Sequence, residues 1–347
     1  MKQKANLVFA LFMTLGICHI ASGFPNEEES RMSIDSLEQV TLGNVRQWIL
    51  MRGESTSNPI LLFLHGGPGF PQMPFTHIDS RRLEKHFIVV NWDQRGAGKS
   101  YDDGAIPEET MTIEQLLSDT HELVQYLKAR FSKDKLFLIG HSWGSILGMY
   151  TAFRHPDDLY AFVGMGQVVN MAKSEVISYR YTLEKAREAN DSDAIEILTQ
   201  IGPPPYEGGY QSLMAQRTLL EEYGGSFRTI SYQDLGRYWN TSPYYSEIDK
   251  SNLMRAFVET QRRMWDRLMD VDLTADIQEL QIPVYFFTGR YDYQTPFELL
   301  EDYFEVLETP YKEIVWFENS GHVPNLDEPE VYQDKLINVV LRNTLGE

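Results

Sequence analysis

The sequence predicts an α/β fold, a mostly parallel central sheet flanked by helices and carrying an inserted helical lid. Three observations lead there. Short apolar runs rich in β-branched and aromatic residues alternate with helix-like segments up to about residue 170, and such runs suit strands covered on both faces. The alternation disappears from Met171 to Leu280 and then resumes, so the intervening segment interrupts one domain and does not begin another. Finally, "KDKLFLIGHSWGSILGMY" reads as a buried strand, a corner between Gly140 and Gly144, and an apolar helix.

Taken in order, residues 1–23 read as an export signal. Lys2 and Lys4 precede the apolar run Leu7 to Cys18, which has the length of a signal-peptide core and is too short to span a bilayer. Small residues at Ala21 and Gly23 place cleavage before Phe24. A lipid-anchored alternative would use Cys18 after "LGIC", against which stands the bulky Ile17. Cys18 is the only cysteine, so the exported chain would hold no disulfide, thiolate metal site or cysteine nucleophile. The expected product is secreted or held at the cell envelope without a stable membrane span.

Residues 24–170 and 281–347 are expected to form the two parts of the core, with 171–280 as the lid. Glu38 to Met51 reads as a hairpin turning at "LGN". Strands follow in "PILLFLHG" to His65, "FIVVNWD" to Asp93, "KLFLIG" to Gly140 and "LYAFVGMGQVV" to about Val169. Between them, "TIEQLLSDTHELVQYLKARF" places Ile113, Leu116, Leu123, Leu127 and Phe131 at helical spacing. In the lid, "AKSEVISYRYTLEKAREAN" and "LMRAFVETQRRMWDRLMD" read as helices, with a break at "IGPPPYEGGY". The strand pattern returns in "IPVYFFTGRYD" and "YKEIVWFENSGH".

With 31 basic and 50 acidic residues the formal charge is −19, and no basic block is present to track a phosphate backbone. Nucleic acid is excluded as a partner on that ground. "DQRGAGKS" ends like a phosphate-binding loop, but Asp93 stands where that loop requires glycine. Asp93 and Arg95 are read instead as a structural pair that ties the strand end to neighbouring loops.

"GHSWG" fits G-x-S-x-G, in which a serine, here Ser142, is presented on a tight strand-to-helix turn. A serine hydroxyl attacks only when a base takes its proton, and in this architecture the acid and then the histidine follow the serine along the chain. Of eight histidines only His155 and His322 come after Ser142. His155 lies just past the elbow helix, too early for an acid-bearing strand to precede it; His322 follows the last strand. Asp292 is read as closing the strand "VYFFTGRYD" at its carboxyl end, where α/β sites collect. A tetrahedral oxyanion needs two N–H donors, each worth about 2.7–4 kcal/mol. Trp143, after the nucleophile, supplies one, and Gly67 in "HGGPG" is the choice for the other. His65 is read as a structural loop residue.

"HGGPG", "NWDQRGAGKS", "GHSWGS", "GRYDYQTP" and "SGH", in this order, resemble proline iminopeptidase-like serine peptidases of the α/β-hydrolase fold over Asn58 to Val169 and Ile282 to the end. The resemblance implies a triad of Ser142, Asp292 and His322, oxyanion donors at Gly67 and Trp143, no metal or organic cofactor, and removal of an N-terminal residue, typically proline, from small peptides. Two departures stand out. The family commonly reads "GGSWG" where this chain has His141, and it binds the substrate amine through acidic lid residues beside a "WE" element that is absent here. Glu221 and Glu222 in "LLEEYGG" are the candidate substrate-binding carboxylates, their other reading being exposed helix charges. The expectation is an exported serine hydrolase of the aminopeptidase kind. The same machinery would serve a carboxylesterase or amidase on small acyl substrates, and the fold alone would also permit a non-catalytic binding protein.

Overall fold

The computed structural model describes residues 32–102 and 106–346. The expected export signal, the expected cleavage site and Cys18 lie outside them. Eight strands form one sheet in the order β1-β2-β4-β3-β5-β6-β7-β8: β1 Ile34–Leu42, β2 Val45–Gly53, β3 Ile60–Leu64, β4 Ile88–Asp93, β5 Leu136–His141, β6 Leu159–Met165, β7 Val284–Gly289 and β8 Lys312–Phe317. β2 runs antiparallel to β1 and β4, and every other pairing is parallel. The β1–β2 turn is made by Gly43 and Asn44, both at positive φ (52° and 61°), as a two-residue hairpin of matching twist requires.

Helix α1 (Ile113–Phe131) precedes β5 and α2 (Trp143–Arg154) follows it. The hydroxyl of Thr112 caps α1 by accepting from the Gln115 N–H at 3.1 Å, and Ser132 ends it at φ 51°. Alternate strand residues face opposite ways, and each set finds a cover. Leu62, Leu138 and Val90 pack with Leu123, Leu127 and Ile146 of α1 and α2. On the other face Phe63, Ile139 and Val89 meet Tyr332, Leu336 and Val340 from the C-terminal helical run. Burial on both faces explains why the strands read as continuous apolar runs.

Between β6 and β7 lie α3 (Met171–Glu188), α4 (Ser192–Ile201), α5 (Gly209–Glu222), α6 (Tyr232–Thr241) and α7 (Glu247–Met269). Asn170 and Asp191 cap α3 and α4, and Ser231 and Ser246 head capping boxes on α6 and α7. The sequence shows α3, α7 and, in one reading of Glu221 and Glu222, the end of α5, but not α4 or α6. Helix α8 (Phe297–Val306) follows β7. Among the described residues no helix is long and apolar enough to cross a membrane.

Three local expectations are corrected. β6 stops at Met165, short of Val169, because Gly166 turns the chain at φ 53° and donates its N–H to Phe287 O at 3.1 Å. β7 stops at Gly289, so Asp292 does not close the strand but sits in the turn beyond it, its N–H donating to Gly289 O at 3.2 Å. Asp93 and Arg95 do not pair with each other. Arg95 forks onto Asp119 of α1 at 2.9 and 3.0 Å, both side chains fully buried. Asp93 Oδ2 accepts from the Tyr245 hydroxyl at 2.7 Å and the Lys99 N–H at 2.8 Å. The two side chains leave the strand end toward different elements, and each acts as a tether there.

Candidate active site

Ser142 stands between the last residue of β5 and the first of α2 at φ 53°, ψ −119°. This is a strained conformation for a non-glycine residue, and it persists only where the surroundings over-determine it. Here they do. A Cβ on Gly140 would lie 2.3 Å from Gly144 O, and one on Gly144 would lie 2.1 Å from Leu64 O, so only glycines let β3, β5 and α2 approach this closely. The Ser142 N–H donates to Met165 O at 2.9 Å, and Ser142 O accepts from the N–H and hydroxyl of Ser145.

Asp292 and His322 arrive from the loops after β7 and β8. Asp292 Oδ1 accepts from the Gln294 and Thr295 N–H groups at 3.0 and 2.8 Å, and Oδ2 from the Thr295 hydroxyl at 2.8 Å. Oδ2 also lies 2.9 Å from His322 Nδ1. A carboxylate oxygen accepts from a ring N–H, so this contact places a hydrogen on Nδ1. Nε2 is buried without a hydrogen-bond partner, and His322 lines the same cavity as Ser142.

The helical segment between β6 and β7 holds both loops. The Tyr293 N–H donates to Gly225 O at 2.9 Å and the His322 N–H to Ser226 O at 2.7 Å, both acceptors lying between α5 and α6. His141 adds a staple from the elbow, its Nε2 donating to His322 O at 2.8 Å. Burial pushes His141 down to about 3 and His65 down to about 4, so both rings are neutral. His65 Nε2 accepts the Gln94 N–H at 3.1 Å, and Gln94 in turn accepts the Trp143 indole N–H at 2.9 Å. Sequence reasoning missed Thr295, Gln94 and this use of His141, because each partner is remote in sequence or carries no motif of its own.

The loop Gly66-Gly67-Pro68-Gly69 lies against the elbow: a Cβ on Gly66 would meet Ser142 Cβ at 3.1 Å. Gly67, at φ 111°, and Trp143 both line the cavity. The Trp143 N–H opens a helix and so has no acceptor within it. The cavity, about 360 Å³, has Phe70, Trp143, Phe227, Trp239, Phe257 and Trp265 in its wall.

The structure does not bring Glu221 and Glu222 to this cavity. They lie at the end of α5, a turn beyond Arg217, and with Tyr223, Gly224 and Arg228 line an adjoining depression that shares Thr218 and Phe227 with the cavity. Glu221 accepts the Tyr232 N–H at 3.0 Å, and partial burial pushes its carboxyl upward. Among the described residues the cavity wall contains no carboxylate; its cation, Arg217, is already paired with buried Glu175 of α3. The residues best arranged to hold a metal, His121, His155 and Asp158, lie by the amino end of β6, away from the carboxyl end of β5 where Ser142 stands. There the two rings stack at 3.8 Å, and Asp158 already takes Lys128 and Gln125.

Comparison with known proteins gives a consistent family. The model of the Alpha/beta hydrolase family matches residues 61–334. Probable aminopeptidase YbaC of Bacillus subtilis (strain 168) is 34% identical over 309 residues, covering 88% of this chain and 96% of that protein. A proline iminopeptidase of Heyndrickxia coagulans is 24% identical over 284 residues, 78% of this chain and 87% of its own. Among solved structures, the proline iminopeptidase of Mycobacterium smegmatis has a TM-score of 0.60 at 16% identity, covering 90% of this chain and 99% of that one. VinJ has a TM-score of 0.59 at 21% identity, covering 87% and 97%; both show likeness of fold.

Proposed function

Because the chain belongs to the alpha/beta hydrolase family, we propose that it is a serine hydrolase that releases N-terminal residues from small peptides in the manner of a proline iminopeptidase. The observation that carries the chemistry is His322, whose Nδ1 is committed to Asp292 while Nε2 stays unbonded in the wall that exposes Ser142. The aminopeptidase reading draws on relatives that bear that name.

In this mechanism His322 Nε2 takes the Ser142 proton as Oγ attacks the substrate carbonyl. Asp292 holds the imidazole in the required tautomer and supports its positive charge. The N–H groups of Gly67 and Trp143 receive the developing oxyanion, each contributing about 2.7–4 kcal/mol at the transition state. Collapse expels the amine with the proton from His322, leaving an acyl-serine, and water then repeats the sequence. Residues 171–280 act as the lid that sets substrate size, and residues 1–23 direct export.

A second reading, a carboxylesterase or amidase on small acyl substrates, is favoured by the apolar wall and its lack of a carboxylate among the described residues. Turnover of proline-naphthylamide, its N-acetylated form and p-nitrophenyl butyrate, by the chain from residue 24, separates the two. Cleavage confined to the free-amine substrate supports the aminopeptidase; cleavage of the ester without it leaves only the serine-hydrolase mechanism. Activity that survives Ser142→Ala would remove that as well.

A further inference from the structure

The face of α7 toward the cavity presents Met254, Phe257, Gln261, Trp265 and Leu268, a stripe at helical spacing with one polar member. Gln261 is only 5% exposed. Its Nε2 lies 3.4 Å from the carbonyl oxygen of Pro68. A carbonyl can only accept, so this contact identifies the nitrogen end of the amide. The other end, Oε1, is buried without a hydrogen-bond partner. Buried acceptors are almost always satisfied, and an orphan in a binding cavity calls for a donor from outside the chain.

The position of this oxygen is set by close packing. A Cβ on Gly69 would stand 2.9 Å from Thr260 Cβ and 3.3 Å from Phe257 Cα. The Thr260 hydroxyl donates to Gly96 O at 3.0 Å. Helix α7 therefore rests directly on the loop that carries Gly67, and Gln261 is held beside the groups assigned to the reacting carbonyl. Aromatic side chains line the same cavity: Phe70 packs on Trp239 at 4.9 Å and on Phe257 at 5.8 Å between ring centroids. Such faces attract cationic nitrogen.

We propose that Gln261 Oε1 accepts an N–H of the substrate's terminal amino group, so that a neutral amide oxygen and aromatic faces recognise the amine in place of a carboxylate. The substrate class is an aminoacyl amide or ester with a free primary or secondary amine. This rests on the reading of Ser142, Asp292 and His322 as the reacting groups.

The test compares kcat/KM for proline p-nitroanilide and for the same anilide lacking the amine, cyclopentanecarbonyl p-nitroanilide. It uses the unaltered enzyme, Gln261→Leu and Gln261→Glu, with active sites counted by fluorophosphonate labelling. The expected result is a preference for the amine-bearing substrate that falls at least tenfold in Gln261→Leu, through KM, and returns in Gln261→Glu, which keeps an acceptor there. An unaltered enzyme without that preference overturns the proposal. So does a Gln261→Leu enzyme that loses both rates equally, because Gln261 would then serve only to position the Pro68 loop. Should Ser142 fail to label in the unaltered enzyme, or Ser142→Ala keep its activity, the underlying site reading fails instead.

Discussion

His141 Nε2 and the main-chain oxygen of His322 are 2.8 Å apart, with the two rings tilted at 44° and their centroids 4.8 Å from one another. The residue before Ser142 thus fastens the loop that carries His322, across 181 positions of sequence. Burial keeps the His141 ring neutral, so it acts as a hydrogen-bond donor without adding a charge beside His322.

His141→Gly restores the residue common in the resembling family and removes this staple. The loss should leave His322 O without its donor at a cost of about 1–3 kcal/mol in stability. A small displacement of the imidazole should lower kcat by roughly up to 10²-fold. Urea denaturation and kcat of the purified variant check both; unchanged kcat would show that the His322 loop is held sufficiently by Ser226.

Thr295→Val should reduce kcat about tenfold with little change in KM, because losing a single orienting hydrogen bond removes on the order of 1.5 kcal/mol. Its hydroxyl bonds Asp292 Oδ2 at 2.8 Å and lies 3.2 Å from His322 Nδ1. The Gln294 and Thr295 N–H groups would still hold the carboxylate, so the effect stays well below that of Ser142→Ala, about 10⁶-fold. Thr295→Ser, which keeps the hydroxyl, should recover most of the rate.

Glu221→Gln combined with Glu222→Gln should leave KM for a free-amine substrate within about twofold and stability within about 0.5 kcal/mol, because the amide keeps an oxygen to accept the Tyr232 N–H. Both residues line the depression beside the cavity, and neither lines the cavity itself. A KM raised tenfold would mean that they reach the substrate after all.

Asp93 gives a pH signature. Burial raises its carboxyl from 3.8 to about 7, so between about pH 4 and 7 the folded chain keeps a proton that the unfolded chain has lost. Stability therefore falls as pH rises through that window, by roughly 4 kcal/mol at most. Asp93→Asn retains an acceptor for Tyr245 and Lys99 and should flatten this slope. Urea unfolding at pH 4.5 and pH 8 tests it, and equal slopes in the two proteins would overturn the assignment.

Sequence by itself determined the parts governed by local rules. Strand runs buried on both faces announce themselves by unbroken apolar character, the turn "LGN" by its conformational demands, and the elbow by glycines that no other residue can replace at Gly140 and Gly144. Chain order then pointed to Asp292 and His322, which the fold brings within hydrogen-bonding distance. Tertiary structure alone decided the rest. That Arg95 takes Asp119, that Glu221 and Glu222 fall outside the cavity, and that Gln261 faces into it all depend on how helices pack over the sheet. A helix's periodicity shows which residues share a face but not what that face meets, and contacts between residues on different elements leave no local pattern to read.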